Sequence, residues 1–143
     1  MAVKQLGRGT KIYMGLSTDS TYTLIPNIAT IGEIRKTSPK VDVTTLEDAA
    51  HTYLGGLPDP GTINATGLWD PLDATHQALD TAQRGATVLW WKIEIFRIGN
   101  LVTPARTGKF VGYVAEFGTG PFENTSPMNM NIVWQMSGDI TWS

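Results

Sequence analysis

Apolar and polar residues alternate through "MNMNIVWQMS". Met128, Met130, Ile132, Trp134 and Met136 fall on one side while Asn129, Asn131, Gln135 and Ser137 fall on the other. Successive strand side chains leave opposite faces, so this segment predicts a strand with one wet face. "TVLWWKIEIFR" puts Leu89, Trp91, Ile93 and Ile95 on one face and Val88, Trp90, Lys92, Glu94 and Phe96 on the other. It is apolar on both sides near its start, as in a strand covered twice over part of its length. "KFVGYVAEF" is a third long strand, with Gly112 a candidate bulge or point of close approach. "IATIGEIRK", "KVDVT" and "TINATGLW" read as three more, and "TKIYMG" as a short one, giving at least seven.

One segment breaks this period. "DPLDATHQALDTAQRG" predicts a helix over about 71–84, with Asp70 as N-cap, Pro71 at the first position and Asp73 near the unpaired amides. Gly85 is placed to close it in the left-handed conformation. Leu72, Thr75, Leu79 and Ala82, with Ala78 beside them, form an apolar stripe for the sheet. His76, one turn from Asp73 and Asp80, is expected on the solvated side. The fold class is mostly β, a β-sandwich or barrel with one flanking α-helix. No internal repeat or composition break divides residues 1–143, so a single domain is expected.

Composition narrows the chemistry. The chain has 143 residues and no cysteine, which removes disulfides, thiolate metal sites and thiol nucleophiles. Lys and Arg number 11 against 13 Asp and Glu, a formal charge of −2 with no long run of either sign. Tight nucleic-acid binding needs clustered cations, so it is not expected. No apolar stretch reaches the roughly 18 residues that span a bilayer, and "MAVKQLGRGT" lacks a signal peptide's apolar middle. A soluble protein, made inside a cell and without a membrane partner, is the expectation.

The stretch "VDVTTLEDAAHTYLGGLPDPG", residues 41–61, gathers Asp42, Thr44, Thr45, Glu47, Asp48, His51 and Tyr53 before a Gly and Pro run. A metal site could be drawn through His51, Glu47, Asp48 and Asp42, but the better account is a helix-start box, which Thr44 to Glu47, and equally Thr45 to Asp48, match. No G-x-S-x-G elbow or phosphate loop occurs, and "GRGTK" matches neither loop type. Glu94 and Glu116 could form an acid pair only if neighbouring strands brought them together. "NAT" at Asn64 and "NTS" at Asn124 are glycosylation sequons in form alone. Five tryptophans could build a sugar platform, though in alternating strands they more often serve as core or interface anchors. No enzyme and no cofactor are expected.

A strand ending "VDVTTLED", an excursion, then "GLPDPGTINATGLWDP" leading to a short helix resembles the major tail protein, or tail tube protein, family of long-tailed bacteriophages. "ATVLWWKIEIF", "GKFVGYVAEFGTG" and a closing "SGDITW" follow in the family's order. The resemblance implies a tail tube fold related to the Hcp tube protein of type VI secretion, with homo-hexameric rings stacked into a hollow tube. One sheet of every subunit would line the lumen, through which double-stranded DNA passes without specific binding after the tape measure protein has filled it. A tail terminator and a distal tail protein are implied at the ends. Localisation is then the virion tail, with host cytoplasm during assembly. The loop between Thr44 and Gly61 would be the stacking loop, with Thr45, Leu46, Glu47, Asp48, His51, Tyr53, Leu54 and Leu57 reaching the next ring. The chain ends at Ser143, so the immunoglobulin-like C-terminal domain of some members is expected to be absent.

Elementary physics agrees with parts of this. The strands "VLWWKIEIF" and "MNMNIVWQM" are long and lightly charged, so as sheet borders they would need pairing with a neighbour. A DNA conduit avoids cations, and Glu94, Glu116, Asn129, Asn131 and Gln135 are the candidate lumen-facing residues. Leu46, Tyr53, Leu54 and Leu57 would stand exposed unless docked, and a loop ordered only on docking is expected. Two rival readings are a carbohydrate-binding β-sandwich module and a type VI or contractile-tail tube protein.

Overall fold

A computed structural model describes residues 8–16, 21–97 and 99–143. Residues 1–7, expected to form no leader, lie outside them. Ten strands and one helix follow in the order β1 (Lys11–Gly15), β2 (Tyr22–Leu24), β3 (Ile28–Ile31), β4 (Lys40–Asp42), β5 (Tyr53–Gly55), β6 (Thr62–Leu68), α1 (Ala74–Gly85), β7 (Leu89–Ile95), β8 (Arg106–Thr119), β9 (Asn129–Met136) and β10 (Thr141–Trp142). All pairings between named strands are antiparallel. The main sheet runs β2-β1-β7-β8-β9-β6-β3, with β10 on β8, while β4 and β5 form a separate two-stranded ribbon.

This sheet is rolled up. Its end strands β2 and β3 are joined by Ile25, Pro26 and Asn27 alone, a link that spans no more than about 14 Å. Trp91 of β7 pairs with Phe110 and Trp134 of β9 with Val114, four positions apart on β8, so on a flat sheet their backbones would lie about 16 Å apart. Their rings instead meet edge to face at 5.5 Å, because the inward sides converge. Ile12, Ile25, Ile63, Ile93, Phe110 and Ile132 share that buried interior. The Trp91 indole donates to the Gly112 carbonyl at 3.0 Å. Gly112 is a close-approach point, since a Cβ there would strike the Gln135 carbonyl.

The β8 strand carries the architecture. Its first half pairs with β7 as far as Leu89↔Gly112, its second half pairs with β9, and α1 packs against it. A bulge sits at Ala115 rather than at Gly112, between the pairs Val114↔Trp134 and Glu116↔Val133. Even positions of β8 point inward up to Val114, so the extra residue turns Glu116 out to solvent and brings Phe117 against the core.

Several expectations are corrected. The strands β7 and β9 are interior to the sheet, and its borders are the short β2 and β3. The helix begins later than the Asp-Pro pair suggests. Asp73 is its N-cap, accepting from the amides of Thr75 and His76 at 2.9 and 3.0 Å, while Asp70 folds back onto the Leu72 amide. Leu72 therefore precedes the helix and lies exposed. Gly85 stays helical, and Ala86, at φ 47°, takes the left-handed position, with the Thr87 amide donating to the Ala82 carbonyl. His76 is fully buried rather than solvated. Its Nδ1 lies 3.0 Å from the Asp70 amide and its Nε2 lies 2.9 Å from the Pro26 carbonyl. The Asp70 amide donates to Nδ1, and with that tautomer Nε2 donates to the Pro26 carbonyl. The imidazole thereby ties the helix start to the link that joins the end strands of the sheet.

Two stability outcomes follow. His76→Leu leaves the Asp70 amide and the Pro26 carbonyl unpaired, and thermal unfolding is expected to show a loss of about 2–4 kcal/mol. Ala86→Gly relieves the left-handed strain of a side-chain-bearing residue and should gain about 1 kcal/mol, read as a melting temperature a few degrees higher.

Candidate functional site

Two surfaces account for the residues singled out by sequence. The first is the ribbon of β4 and β5. Pairing extends beyond both strands: Thr37 bridges Asp59, Gly56 donates to the Pro39 carbonyl, and Val43 donates to the Thr52 carbonyl at 2.9 Å. Residues 37–59 thus form one hairpin arm, paired over roughly 20 Å from Thr37 to Val43 at about 3.3 Å per residue, whose strands pair with no strand of the main sheet. The segment expected as a loop ordered on docking is already paired, and the arm begins before Thr44.

Strand alternation gives the arm two unlike faces. Val41 pairs with Leu54, and Val43 follows on the same side, so one face is apolar. On the other, the Lys40 ammonium sits 4.6 Å from the Tyr53 ring centroid and His51 stacks on Tyr53 at 6.2 Å. Asp42 accepts from the Thr44 hydroxyl and amide at 2.6 and 2.9 Å, and these bonds hold its carboxyl below the usual carboxylate range. The tip is a turn rather than a helix start. Thr45 donates its amide to the Asp48 carboxylate at 2.8 Å, which makes one half of the expected box, and no helix follows. Leu46 and Leu57 are 107% and 89% exposed, and Tyr53 and Leu54 also stand open. Among the described residues no group of three His, Asp or Glu could hold a metal ion.

The second surface is the outer side of β6, β9 and the second half of β8. The register brings Thr62 opposite Gln135, Asn64 opposite Val133, Thr66 opposite Asn131 and Leu68 opposite Asn129. Val133 and Asn131 in turn face Glu116 and Gly118. The Thr66 hydroxyl is hydrogen-bonded to Thr30 of β3. Four of the five lumen candidates, Glu116, Asn129, Asn131 and Gln135, therefore share one face of amides and hydroxyls on which Glu116 is the one charge among the outward residues named here.

Glu94 does not join them. It lies on β7 opposite Lys11 and Thr107, nine positions of β8 away from Glu116, so no acid pair forms. Its carboxylate is 3.6 Å from the Lys92 ammonium. That ammonium also lies 4.5 Å from the Tyr13 ring centroid and 5.0 Å from Tyr22, and Lys109, directly opposite Lys92, is 5.6 Å from Tyr22. Burial and the bond to Glu94 push the Tyr13 hydroxyl up to about 12. This cation and aromatic cluster was not read from sequence. The alternation of Tyr13 with Met14, and of Lys92 with Ile93, is the signal that could have pointed to it. Of the tryptophans, Trp91 and Trp134 are buried and the other three are half-buried.

A rolled antiparallel sheet with one helix and a projecting hairpin is the fold of tube-forming subunits of phage and injection-system tails. The solved tail of an empty gene transfer agent particle, with C6 symmetry, is 16% identical, covers 98% of this chain and 99% of its own, and superposes with a TM-score of 0.74. The SPP1 tail tube is 14% identical over 98% of this chain and 79% of its own, at 0.71. A type six secretion system protein, 14% identical over 92% and 82%, matches at 0.60. The family described as phage tail tube, TTP, lambda-like matches residues 3–143, and the chain belongs to it. No curated protein matches the chain in sequence. It is a structural, non-enzymatic protein of the phage tail tube and a component of the virion tail.

The Tyr13 shift has a pH consequence. A folded-state value raised above the ordinary 10.0 stabilises the fold fully below pH 10, and that contribution is lost as pH rises toward about 12. Ultraviolet titration of the folded protein should show a late-ionising tyrosine that disappears in Tyr13→Phe.

Proposed function

We propose that this chain forms homo-hexameric rings that stack into a hollow tube, through which double-stranded DNA is delivered to the host. The observation that carries the reading is the arm. An isolated two-stranded hairpin is marginally stable in water, and this one presents Val41, Val43 and Leu54 along one side with Leu46 at the tip. Such a face is completed by burial on another subunit. The arm over residues 37–59 is thus the element that reaches the next ring, with Thr45, Leu46, Glu47, Asp48, His51, Tyr53, Leu54 and Leu57 as contacts. Sixfold rings draw support from the C6 symmetry of the gene transfer agent tail and the sixfold baseplate of the anti-feeding prophage, a structural neighbour at a TM-score of 0.75.

The lumen is assigned to the outer face of β6, β9 and the end of β8. Phosphates find Asn129, Asn131, Thr66 and Gln135 there, with Glu116 as the outward charge, so DNA gains little affinity while passing. Glu94, held by Lys92 and Tyr13, is left out of this wall. Residues 1–143 act as one tail tube domain. Assembly in the host cytoplasm around a tape measure protein, bounded by a tail terminator and a distal tail protein, completes the reading; a contractile-system tube terminator and a tube-terminating cap share the fold.

Replacing residues 38–58 by a two-residue glycine turn between Thr37 and Asp59 tests the arm. The expected product is a folded protein with unchanged near-ultraviolet circular dichroism that forms no tubes in negative-stain images. Tubes of ordinary length would overturn the assignment.

A further inference from the structure

The strand β8 connects two exposed surfaces that the tube reading leaves unassigned. Before its first residue, Arg106, lies the β7–β8 turn. There Asn100 accepts the amides of Val102 and Thr103 on its side-chain oxygen at 3.2 Å, and Ala105 donates to the Ile95 carbonyl, so the turn is held in shape. Val102 at its crest is 90% exposed, beside a half-exposed Leu101. After Thr119, the last residue of β8, lies the other surface. Phe122 is 67% exposed and packs edge-on against Trp69 at 6.0 Å, and Met128 is also open. The amide of Trp69 donates to the Met128 carbonyl, which fixes these segments together. The two apolar surfaces sit at opposite ends of a 14-residue strand, about 40 Å apart at 3.3 Å per residue.

Their charges are opposite. Residues 96–106 carry Arg97 and Arg106 and no acid. Residues 120–128 carry Glu123 and no cation, residues 68–76 carry Asp70 and Asp73 and no Lys or Arg, and the nearby Arg84 is paired with Asp80. Joining like ends would set arginine on arginine or acid on acid, whereas joining unlike ends pairs charge with charge around an apolar centre. Unlike ends of identical subunits make a heterologous contact, which propagates as an open stack rather than closing as a dimer.

We infer that the β7–β8 turn, through Val102, Leu101, Arg97 and Arg106, docks on the Phe122 and Trp69 surface of a second copy of this chain in the next ring, with Asp70 and Glu123 flanking the contact. This inference rests on the stacked-ring reading and adds to it a second inter-ring contact, separate from the arm. It also gives the stack a direction, because every subunit presents its basic turn forward and its acidic aromatic surface behind.

Two variants of exposed residues test it. Val102→Asp places a carboxylate against the acidic surface, and Phe122→Lys places an ammonium against the basic turn. Each alone is expected to yield rings that need at least about 100-fold more protein than wild type to form tubes. Mixed after ring formation, the two variants retain one intact pair of surfaces between them, namely the turn of Phe122→Lys rings and the aromatic surface of Val102→Asp rings. The two altered surfaces also meet as a carboxylate against an ammonium, so stacks of two rings or more are expected in negative-stain images of the mixture. Circular dichroism and a ring-sized sedimentation peak confirm folding. Tubes from either variant at wild-type concentration, or a mixture that stays as single rings, overturn this contact and leave the arm and the tube reading intact. Wild-type protein that never forms rings or tubes overturns the tube reading, and this contact with it.

Discussion

The structure depends on the curling of one open sheet, whose end strands β2 and β3 do not pair but are joined by the three residues Ile25, Pro26 and Asn27. That link brings the end strands β2 and β3 within reach of each other, so the inward faces of all strands of the main sheet converge and a single apolar interior forms. His76 secures it. Its imidazole, hydrogen-bonded to the Pro26 carbonyl and the Asp70 amide, ties the seam to the start of α1. Without the seam the edge-to-face contact of Trp91 and Trp134 would be lost, since their partners on β8 lie four positions apart and a flat sheet would hold the two backbones about 16 Å from each other.

Curling has a consequence for self-assembly. Rolling the sheet leaves only short strands at its borders and relocates the open surface to the arm and to the two ends of β8. A subunit built this way does not need to aggregate through long unpaired edges. Its sticky surfaces are discrete, apolar at the centre and charged at the rim, which suits ordered stacking. The outer face of β6 and β9 stays neutral because its outward positions are amides and hydroxyls with the apolar Leu68 and Val133. Lys92 of β7 and Lys109 of β8 are engaged with Tyr13, Tyr22 and Glu94 farther along the sheet.

Much of the fold was legible because its cause is local. The inward set Met130, Ile132, Trp134 and Met136 and the outward set Asn129, Asn131 and Gln135 come from the period of two that any strand imposes. The exposed leucines of residues 46–57 could be named in advance because turn residues surround them and no period assigns them to a core. The family resemblance was carried by the order of such segments along the chain. The helix was found within a few residues of its ends, and it shifted because Asp73 competes with Asp70 as a cap, and tertiary contacts with Pro26 chose between them.

What sequence alone determined about this protein is therefore the set of strands, the side of each that turns inward, and the membership of a tube-building family. Only the tertiary structure decided which strands are neighbours, because pairing partners lie far apart in the chain and alternation does not encode them. It made β7 and β9 interior, separated Glu94 from Glu116, and buried His76. At Ala115 one extra residue reversed the inside and outside of everything that follows on β8, a parity change that no local pattern announces.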